Sequence, residues 1–185
     1  MDIIAIDPGS TQSAYVEYCE GKVCEKGKFP NGDMVAIVRI KRGLSHLAIE
    51  MPACYGMAVG KSVFETCRWV GVFQQAFGLD RTHLVYRKSV NKEEGIDSVC
   101  MHLCKNNRAK DSNVRQAIID RFPATGGGAI PQIGTKANRG PLYGVSKDVW
   151  AALAVAITFT ETFEAQLKRV AVYYKSLIKD RLKKS

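Results

Sequence analysis

The chain has 185 residues, 46% of them hydrophobic, and a net charge of +9 at neutral pH. This length suffices for one domain with a sizeable core and is short for two. An integral membrane protein is excluded, because no segment approaches the roughly 20 apolar residues that cross a bilayer. The first residues, MDIIAID, also lack the basic start of an export signal, so we expect a cytoplasmic protein.

Alternating and apolar segments predict five strands, of which the first three form an antiparallel meander. The predicted strands cover residues 2–6, 13–19, 22–29, 46–49 and 84–86. The predicted helices cover residues 33–42, 62–79, 90–105 and 111–122, with a last, mostly apolar helix that starts near Ser146. Between them, residues 123–145 are rich in Gly and Pro and are predicted to be a functional or mobile loop. This order predicts an α/β fold, with one mixed five-stranded sheet and helices on both faces.

The six cysteines could in principle form disulfides or bind zinc. Without an export signal, disulfides are not expected. The pairs Cys19/Cys24 and Cys100/Cys104 are spaced loosely like the halves of a zinc site. However, the sequence has no CxxC motif and no paired histidines that would complete a set of four zinc ligands. Small buried thiols are therefore the favoured interpretation.

Two acidic residues end two predicted apolar strands, Asp7 after IIAI and Glu50 after LAI. If these strands are parallel neighbours, about 4.8 Å apart, both carboxylates reach the edge of the sheet where α/β proteins bind ligands. A third acid, Asp148, lies at the start of the last helix, where the helix N-terminus favours an anion. Each acid alone is equally well explained as a turn residue, a strand end or a helix start, and only their combination favours a site.

Carboxylates that lie close together repel one another, and a divalent cation relieves this repulsion. Hard oxygen ligands select Mg²⁺ or Mn²⁺ over zinc. Two such ions about 4 Å apart can activate water and stabilise the leaving oxygen of a phosphodiester. The three acids therefore indicate Mg²⁺-dependent phosphodiester hydrolysis, with Mn²⁺ as a substitute.

Four segments together resemble the RuvC family of Holliday-junction resolvases, in particular its small phage and prophage members. They are IIAIDPGSTQSAYV, LAIEMP, the GTK…GPLYGVS stretch and KDVWAALAVAI, in this order, and the resemblance extends over most of residues 1–160. The resemblance implies an RNase H-like nuclease domain over residues 1–165, with a basic C-terminal helix or tail at 166–185. It also implies a homodimer in the cytoplasm of a bacterium, encoded by the host or by a phage, that cuts opposed strands of a four-way junction with Mg²⁺.

By position, Asp7 is similar to the family's first acid and Glu50 to its second. Asp148 is similar to the first acidic or histidine position of the family's last helix. The resemblance therefore implies that these three residues are the metal ligands and catalytic residues. The chain departs from the family at Ala151, where many members have a further Asp, so three carboxylates do the work of four or another residue contributes. Lys147, beside Asp148, is a candidate for electrostatic assistance.

Positive charge is concentrated in the second half of the chain, since residues 81–147 carry a net charge of +7 and residues 165–185 carry +6. DNA is the natural partner, although a solubilising surface has a similar charge. The candidate phosphate contacts are Lys61, Arg68, Arg87, Lys88, Arg108, Lys110, Arg115, Lys136 and Arg139. Lys136 and Arg139 are favoured because they lie in the Gly-rich loop, whose glycines would let the backbone approach a phosphate.

Two further segments have expected roles in DNA binding and dimerisation. In the enzymes that this chain resembles, the loop at 54–60 reaches the junction centre, so Tyr55 is a candidate to stack on an unpaired base. Local packing is the alternative for Tyr55. The helix at 62–79 is expected to expose more large apolar residues than one face needs, including Trp69 and Phe73. Resolvase-like dimers pair through this helix, and an intramolecular core helix is the alternative.

The leading prediction is a homodimeric Mg²⁺-dependent endonuclease that resolves four-way DNA junctions. One alternative is a branched-DNA binding protein with the same fold and weakened catalysis, for which Ala151 is the best support. Another is a broader debranching nuclease that acts on forks and flaps. An actin-like sugar kinase shares the acid-Gly-Ser/Thr start but is excluded by length, and no P-loop is present, so no nucleotide cofactor is expected.

Overall fold

The computed structural model describes residues 1–56, 58–89 and 98–182, with side chains up to residue 176 of the last helix. Within these residues the strands are β1 (Asp2–Asp7), β2 (Gln12–Cys19), β3 (Lys22–Pro30), β4 (His46–Met51) and β5 (Thr82–Tyr86). The α-helices are α1 (Asn31–Ile40), α2 (Lys61–Phe77), α3 (Val99–Cys104), α4 (Asp111–Ile119) and α5 (Val149–Leu182). None of these helices is both long enough and apolar enough to cross a membrane.

The strands form one five-stranded sheet in the order β3-β2-β1-β4-β5. β2 pairs antiparallel with both β1 and β3, as the predicted meander requires. β4 pairs parallel with β1 and with β5. Parallel pairing is possible here because α1 connects β3 to β4 and α2 connects β4 to β5, and each helix returns the chain to the same end of the sheet. The prediction of a mixed five-stranded sheet is confirmed.

Side chains that alternate along β1 pack into two separate cores. Ile3 and Ala5 face the core that α3, α4 and α5 cover, whereas Ile4 and Ile6 face the core that α1 and α2 cover. Both faces of β1 are therefore apolar, which is typical of a central strand between two helical layers. Helices on both faces of the sheet were also predicted.

The last helix differs in its limits from the prediction. It begins at Val149 rather than Ser146, because Lys147 has a positive φ of 47° and cannot continue a right-handed helix. It then runs without a break to Leu182, so the segment predicted as a basic helix or tail continues the buried helix. Of the predicted helix at 90–105, residues 90–97 lie outside the described residues, and α3 begins at Val99.

One prediction about α2 is wrong. Phe73 was expected among its surplus apolar residues, but it is fully buried in the core between α1, α2 and the sheet. Trp69 stacks on Phe73 with ring centroids 6.0 Å apart and is only partly exposed. The helix turns these residues inward because they lie on the same face as Val70 and Phe77, and Phe64 is left as its large exposed apolar residue.

Candidate metal centre and nucleic-acid groove

The three predicted acids line one cavity at the carboxyl ends of β1 and β4. The strands are parallel neighbours, with Ile6 opposite Ile49, so Asp7 and Glu50 end at the same edge. Alternation along each strand turns both carboxyls toward the α5 side of the sheet, since they follow Ala5 and Ala48 in that core. Asp148, the residue before α5, completes the acidic lining of a cavity of about 260 Å³.

Burial makes the charged forms of Asp7 and Glu50 unfavourable. Burial, together with the nearby carboxylates of Glu50 and Asp148, raises the pKa of Asp7 to about 7, against smaller lowering effects of Arg87 and Lys28. Burial also raises the pKa of Glu50, which Arg87 opposes. Glu50 Oε2 is shielded from solvent and has no hydrogen-bond partner among the residues that the structure describes. A buried oxygen without a donor is costly unless a cation or a proton meets it.

A hydrogen-bond network holds the loop that follows Asp7. The Ser13 hydroxyl donates to Asn31 Oδ1 at 2.7 Å, and Asn31 Nδ2 donates to the Gly9 carbonyl at 2.9 Å. The Gly9 amide in turn donates to the Ser13 hydroxyl at 3.3 Å. Ser13 and Asn31 are both buried, and a Cβ added at Gly9 would overlap the Gln12 carbonyl oxygen. The network therefore positions the end of β1, and with it Asp7.

Two ion pairs border the cavity. The Lys28 ammonium, from the edge strand β3, contacts Asp148 Oδ2. The Arg87 guanidinium, directly after β5, contacts Asp111 Oδ1 at the start of α4. Arg87 and Asp111 both line the cavity, so the site has a cation on each side of the acids.

The residues present fit a hard divalent cation on the Asp7–Glu50 side of the cavity. Two carboxylates converge there, one with an orphaned oxygen, and a cation would remove the repulsion that raises the pKa of Asp7. In the described part of the chain, no three His, Cys, Asp or Glu side chains form a ready metal-ligand set, and Asp148 is paired with Lys28. All six cysteines are free, but only Cys100 is buried. The interpretation as small buried thiols does not hold for Cys24 and Cys54, which are exposed.

A larger groove of about 710 Å³ adjoins the acidic cavity. Asp111, Arg115, Lys147 and Trp150 line both, so the two depressions are continuous. The Arg115 guanidinium lies 4.9 Å above the ring centroid of Trp150. An exposed cation beside an aromatic face is a combination that binds the phosphates and bases of nucleic acids.

Comparison with solved structures identifies the fold. The chain is similar to the structure of RuvC from Thermus thermophilus, with a TM-score of 0.56 and 16% identity over 91% of this chain and 97% of that one. It is also similar to T. thermophilus RuvC in complex with a Holliday junction substrate, with a TM-score of 0.57 and 13% identity over 91% and 96%. The chain has a RuvC-like fold. No family model and no curated protein matches the sequence.

Within this RuvC-like fold, Ala151 lines the acidic cavity one helical turn after Asp148. A carboxylate at this position would point at the same space as Asp148, because residues three apart lie on one helix face. The departure noted in the sequence therefore lies at the site itself, and it leaves the Asp148 side with a single carboxylate.

The predicted DNA-binding residues fall into three groups in the RuvC-like fold. Arg87, Arg115 and Lys147 border the cavity or the groove, and the exposed Lys110 directly precedes α4 beside them. Tyr55 and Lys88 contact one another: the Lys88 amide donates to the Tyr55 hydroxyl at 3.0 Å, and the Lys88 ammonium lies 5.5 Å from the ring centroid. The remaining candidates are exposed at other places, and they are Lys61, Arg68, Arg108, Lys136 and Arg139.

The Gly-rich loop uses its glycines for its own packing. Gly126, Gly134 and Gly140 cross so closely that a Cβ on any of them would overlap backbone atoms of the same loop. The Gly126 amide donates to the Pro131 carbonyl at 2.9 Å, and the Gly140 amide donates to the Ile133 carbonyl at 3.0 Å. These amides are occupied within the loop, so its exposed cations, Lys136 and Arg139, are the groups that a phosphate could meet.

Three residues that line or border the site were not predicted from the sequence. Lys28 is one of several lysines in a strand with no strong pattern, and Asp111 reads as an ordinary first-turn helix residue. Trp150 lies within an apolar helix and resembles a core residue. The acidic start of α4 was the one available signal, since an acid there also suits the helix dipole.

Proposed function

We propose that this chain is a divalent-metal-dependent endonuclease that cuts branched DNA, with the four-way junction as its principal substrate. The observation that carries the proposal is the convergence of Asp7, Glu50 and Asp148 on one cavity in a RuvC-like fold, where Glu50 Oε2 has no hydrogen-bond partner in the described part of the chain. The groove lined by Arg115, Lys147 and Trp150 leads from this cavity and suits a sugar-phosphate backbone.

The side chains have distinct roles in this proposal. Asp7 and Glu50 hold Mg²⁺, for which Mn²⁺ substitutes. When bound, the ion supplies charge neutralisation at the scissile phosphate and activation of water. Arg87 binds a phosphate oxygen next to the acids, with its guanidinium held in place by Asp111. Arg115 and Lys147 hold the DNA strand along the groove. Tyr55 is the residue that would stack on an unpaired base at the branch point.

A second copy of the chain would place two such sites against opposite strands of a junction. We propose a homodimer that pairs through α2, where Phe64 is 66% exposed. Sedimentation velocity tests this proposal, and Phe64→Ser should shift the chain toward the monomer if α2 is the interface.

The decisive experiment is cleavage of a labelled synthetic four-way junction, with linear duplex as the substrate control, in Mg²⁺ and in EDTA. We expect paired nicks in opposed strands that require both metal and Asp7, while Asp7→Asn still binds the junction. Asp33→Asn is the matched control variant. Because Asp33 is exposed on α1, this variant should cleave the junction as the wild type does. Equal cleavage of duplex and junction would instead indicate a general nuclease, and cleavage of forks and flaps a debranching enzyme.

A second function, binding of branched DNA without cleavage, is favoured by Ala151 and by the ion pair between Lys28 and Asp148. Titration of Mn²⁺ in a calorimeter separates the two proposals. If the wild type releases or absorbs heat on binding Mn²⁺ and the Glu50→Gln variant does not, the result supports the proposed nuclease. Tight junction binding without such heat, and without nicking in either metal, supports the binding protein.

A further inference from the structure

Lys28 reaches the acids because of its register in the sheet. It lies opposite Ala14 of β2, and Ala14 lies opposite Asp7 of β1, so the three residues form one row across the sheet. Ala14 belongs to the core on the α5 side, which places all three side chains on that face. Asp7 lies two strands, or about 10 Å, from Lys28, and the small Ala14 side chain between them leaves room for the long lysine.

The Lys28 side chain is partly exposed, and its ammonium contacts the site. It contacts Asp148 Oδ2, a pairing between residues 120 positions apart in the chain. Its charge also acts on Asp7, whose pKa it lowers against the stronger raising effects. Lys28 therefore lies within electrostatic reach of two of the three acids.

The two sides of the cavity have different ligand sets. On the Asp7–Glu50 side, two carboxylates converge, and within the described ranges of the chain Glu50 Oε2 has no donor. On the Asp148 side, the single carboxylate is already paired with an ammonium, and Ala151 brings no further oxygen. The cation on the Asp7–Glu50 side, Arg87, is paired with Asp111 instead of with either carboxylate.

We propose that the Lys28 ammonium takes the place of a second divalent ion on the Asp148 side, so that the chain binds one ion, between Asp7 and Glu50. This inference rests on the proposed nuclease function. An ammonium carries one positive charge and three hydrogen-bond donors, and it needs no more than one carboxylate to hold it. It can therefore neutralise a phosphate oxygen at a position where the chain has too few oxygens for Mg²⁺.

The test counts bound ions by Mn²⁺ titration calorimetry and by electron paramagnetic resonance of free Mn²⁺. We expect one ion per wild-type chain. Lys28→Gln removes a positive charge near the site, so we expect Mn²⁺ to bind roughly five- to tenfold more tightly. At the same time, junction cleavage should fall by on the order of 100-fold, because a charge-stabilising group is lost.

Lys26→Gln is the matched control. Lys26 lies on the same strand and face but opposite Val16, and its side chain extends past Gly144. Its metal affinity and cleavage should equal those of the wild type, and thermal unfolding checks that both variants fold. Lys28→Gln with unchanged affinity and cleavage would overturn the proposal.

The stoichiometry separates this proposal from the proposed function. Two ions per wild-type chain together with normal junction cleavage would overturn the role of Lys28 and leave the nuclease standing. No bound ion and no cleavage by the wild type would overturn both.

Discussion

Asp7 is the last residue of β1 and Glu50 the last but one of the adjacent parallel strand β4, and each lies two residues after a core residue on the same face of the sheet. Two buried carboxyls are thereby brought together by the register that also builds the core. Their repulsion, added to burial, is what places the pKa of Asp7 at about 7. The site is destabilising as long as no cation is bound, a pattern expected where stability is given up for binding.

We predict that Asp7→Asn stabilises the metal-free chain above pH 7. The folded-state pKa of Asp7 lies above its unfolded value of 3.8, so the folded state holds the extra proton and stability falls as pH rises from about 4 to 7. Removal of the charge should raise the free energy of unfolding at pH 8 by about 2 to 4 kcal/mol. Denaturant unfolding in EDTA at pH 5 and pH 8 measures this difference, and an equal effect at both pH values would contradict it.

We also predict that metal binding displaces a proton. Below pH 7 Asp7 is largely protonated, so Mn²⁺ must release a proton to bind, and its affinity should rise with pH until about pH 7 and then level off. Calorimetry at pH 6 in two buffers of different ionisation enthalpy gives the number of protons released. A value near zero at pH 6 would show that Asp7 is ionised before the metal arrives.

The network behind Asp7 should contribute to stability and to the site together. Asn31→Ala leaves the buried Ser13 hydroxyl without its acceptor and the Gly9 carbonyl without its donor. We expect a loss of about 1 to 3 kcal/mol in unfolding free energy, with weaker Mn²⁺ binding. Ser10→Ala, in the same loop, is the control and should stay within about 0.5 kcal/mol of wild type.

The groove residues should act on DNA binding without sequence preference. Arg115→Gln removes a cation that lies over Trp150, so junction affinity should fall and the slope of log affinity against log salt should decrease by about one unit. Fluorescence anisotropy over a salt series measures both. Lys22→Gln, at the far end of β3, is the control, and an equal change there would mean that charge alone, rather than the groove, governs binding.

The Gly-rich loop should tolerate no side chain at its crossing point. A Cβ at Gly140 would overlap the carbonyl oxygens of Pro131 and Gln132, which are backbone atoms that cannot move aside cheaply. We expect Gly140→Ala to lower unfolding free energy by about 2 kcal/mol or more. Gly43→Ala, where a Cβ meets no atom within 4 Å, should have little effect by thermal unfolding.

Much of the fold was predictable from local pattern. Period-two alternation and turn residues identify the strands, and three- and four-residue spacing identifies the helices, because both depend on neighbours in the chain. The same patterns place Asp7 and Glu50 at strand ends and Asp148 at a helix start. Whether these acids share a cavity depends on strand order and parallel pairing, and the structure shows that they do.

Tertiary structure alone decided the rest. Phe73 was misassigned because a helix with apolar residues on several sides does not reveal which side a neighbouring helix covers, and here α1 covers it. Lys28 and Asp111 join the site through contacts that span 120 and 24 residues, respectively. A charged side chain in an exposed strand or helix start has no local signature for its partner. By itself, the sequence determined the elements and the acids at their ends, and packing across the sheet decided which cations meet those acids, because register brings distant residues into one row.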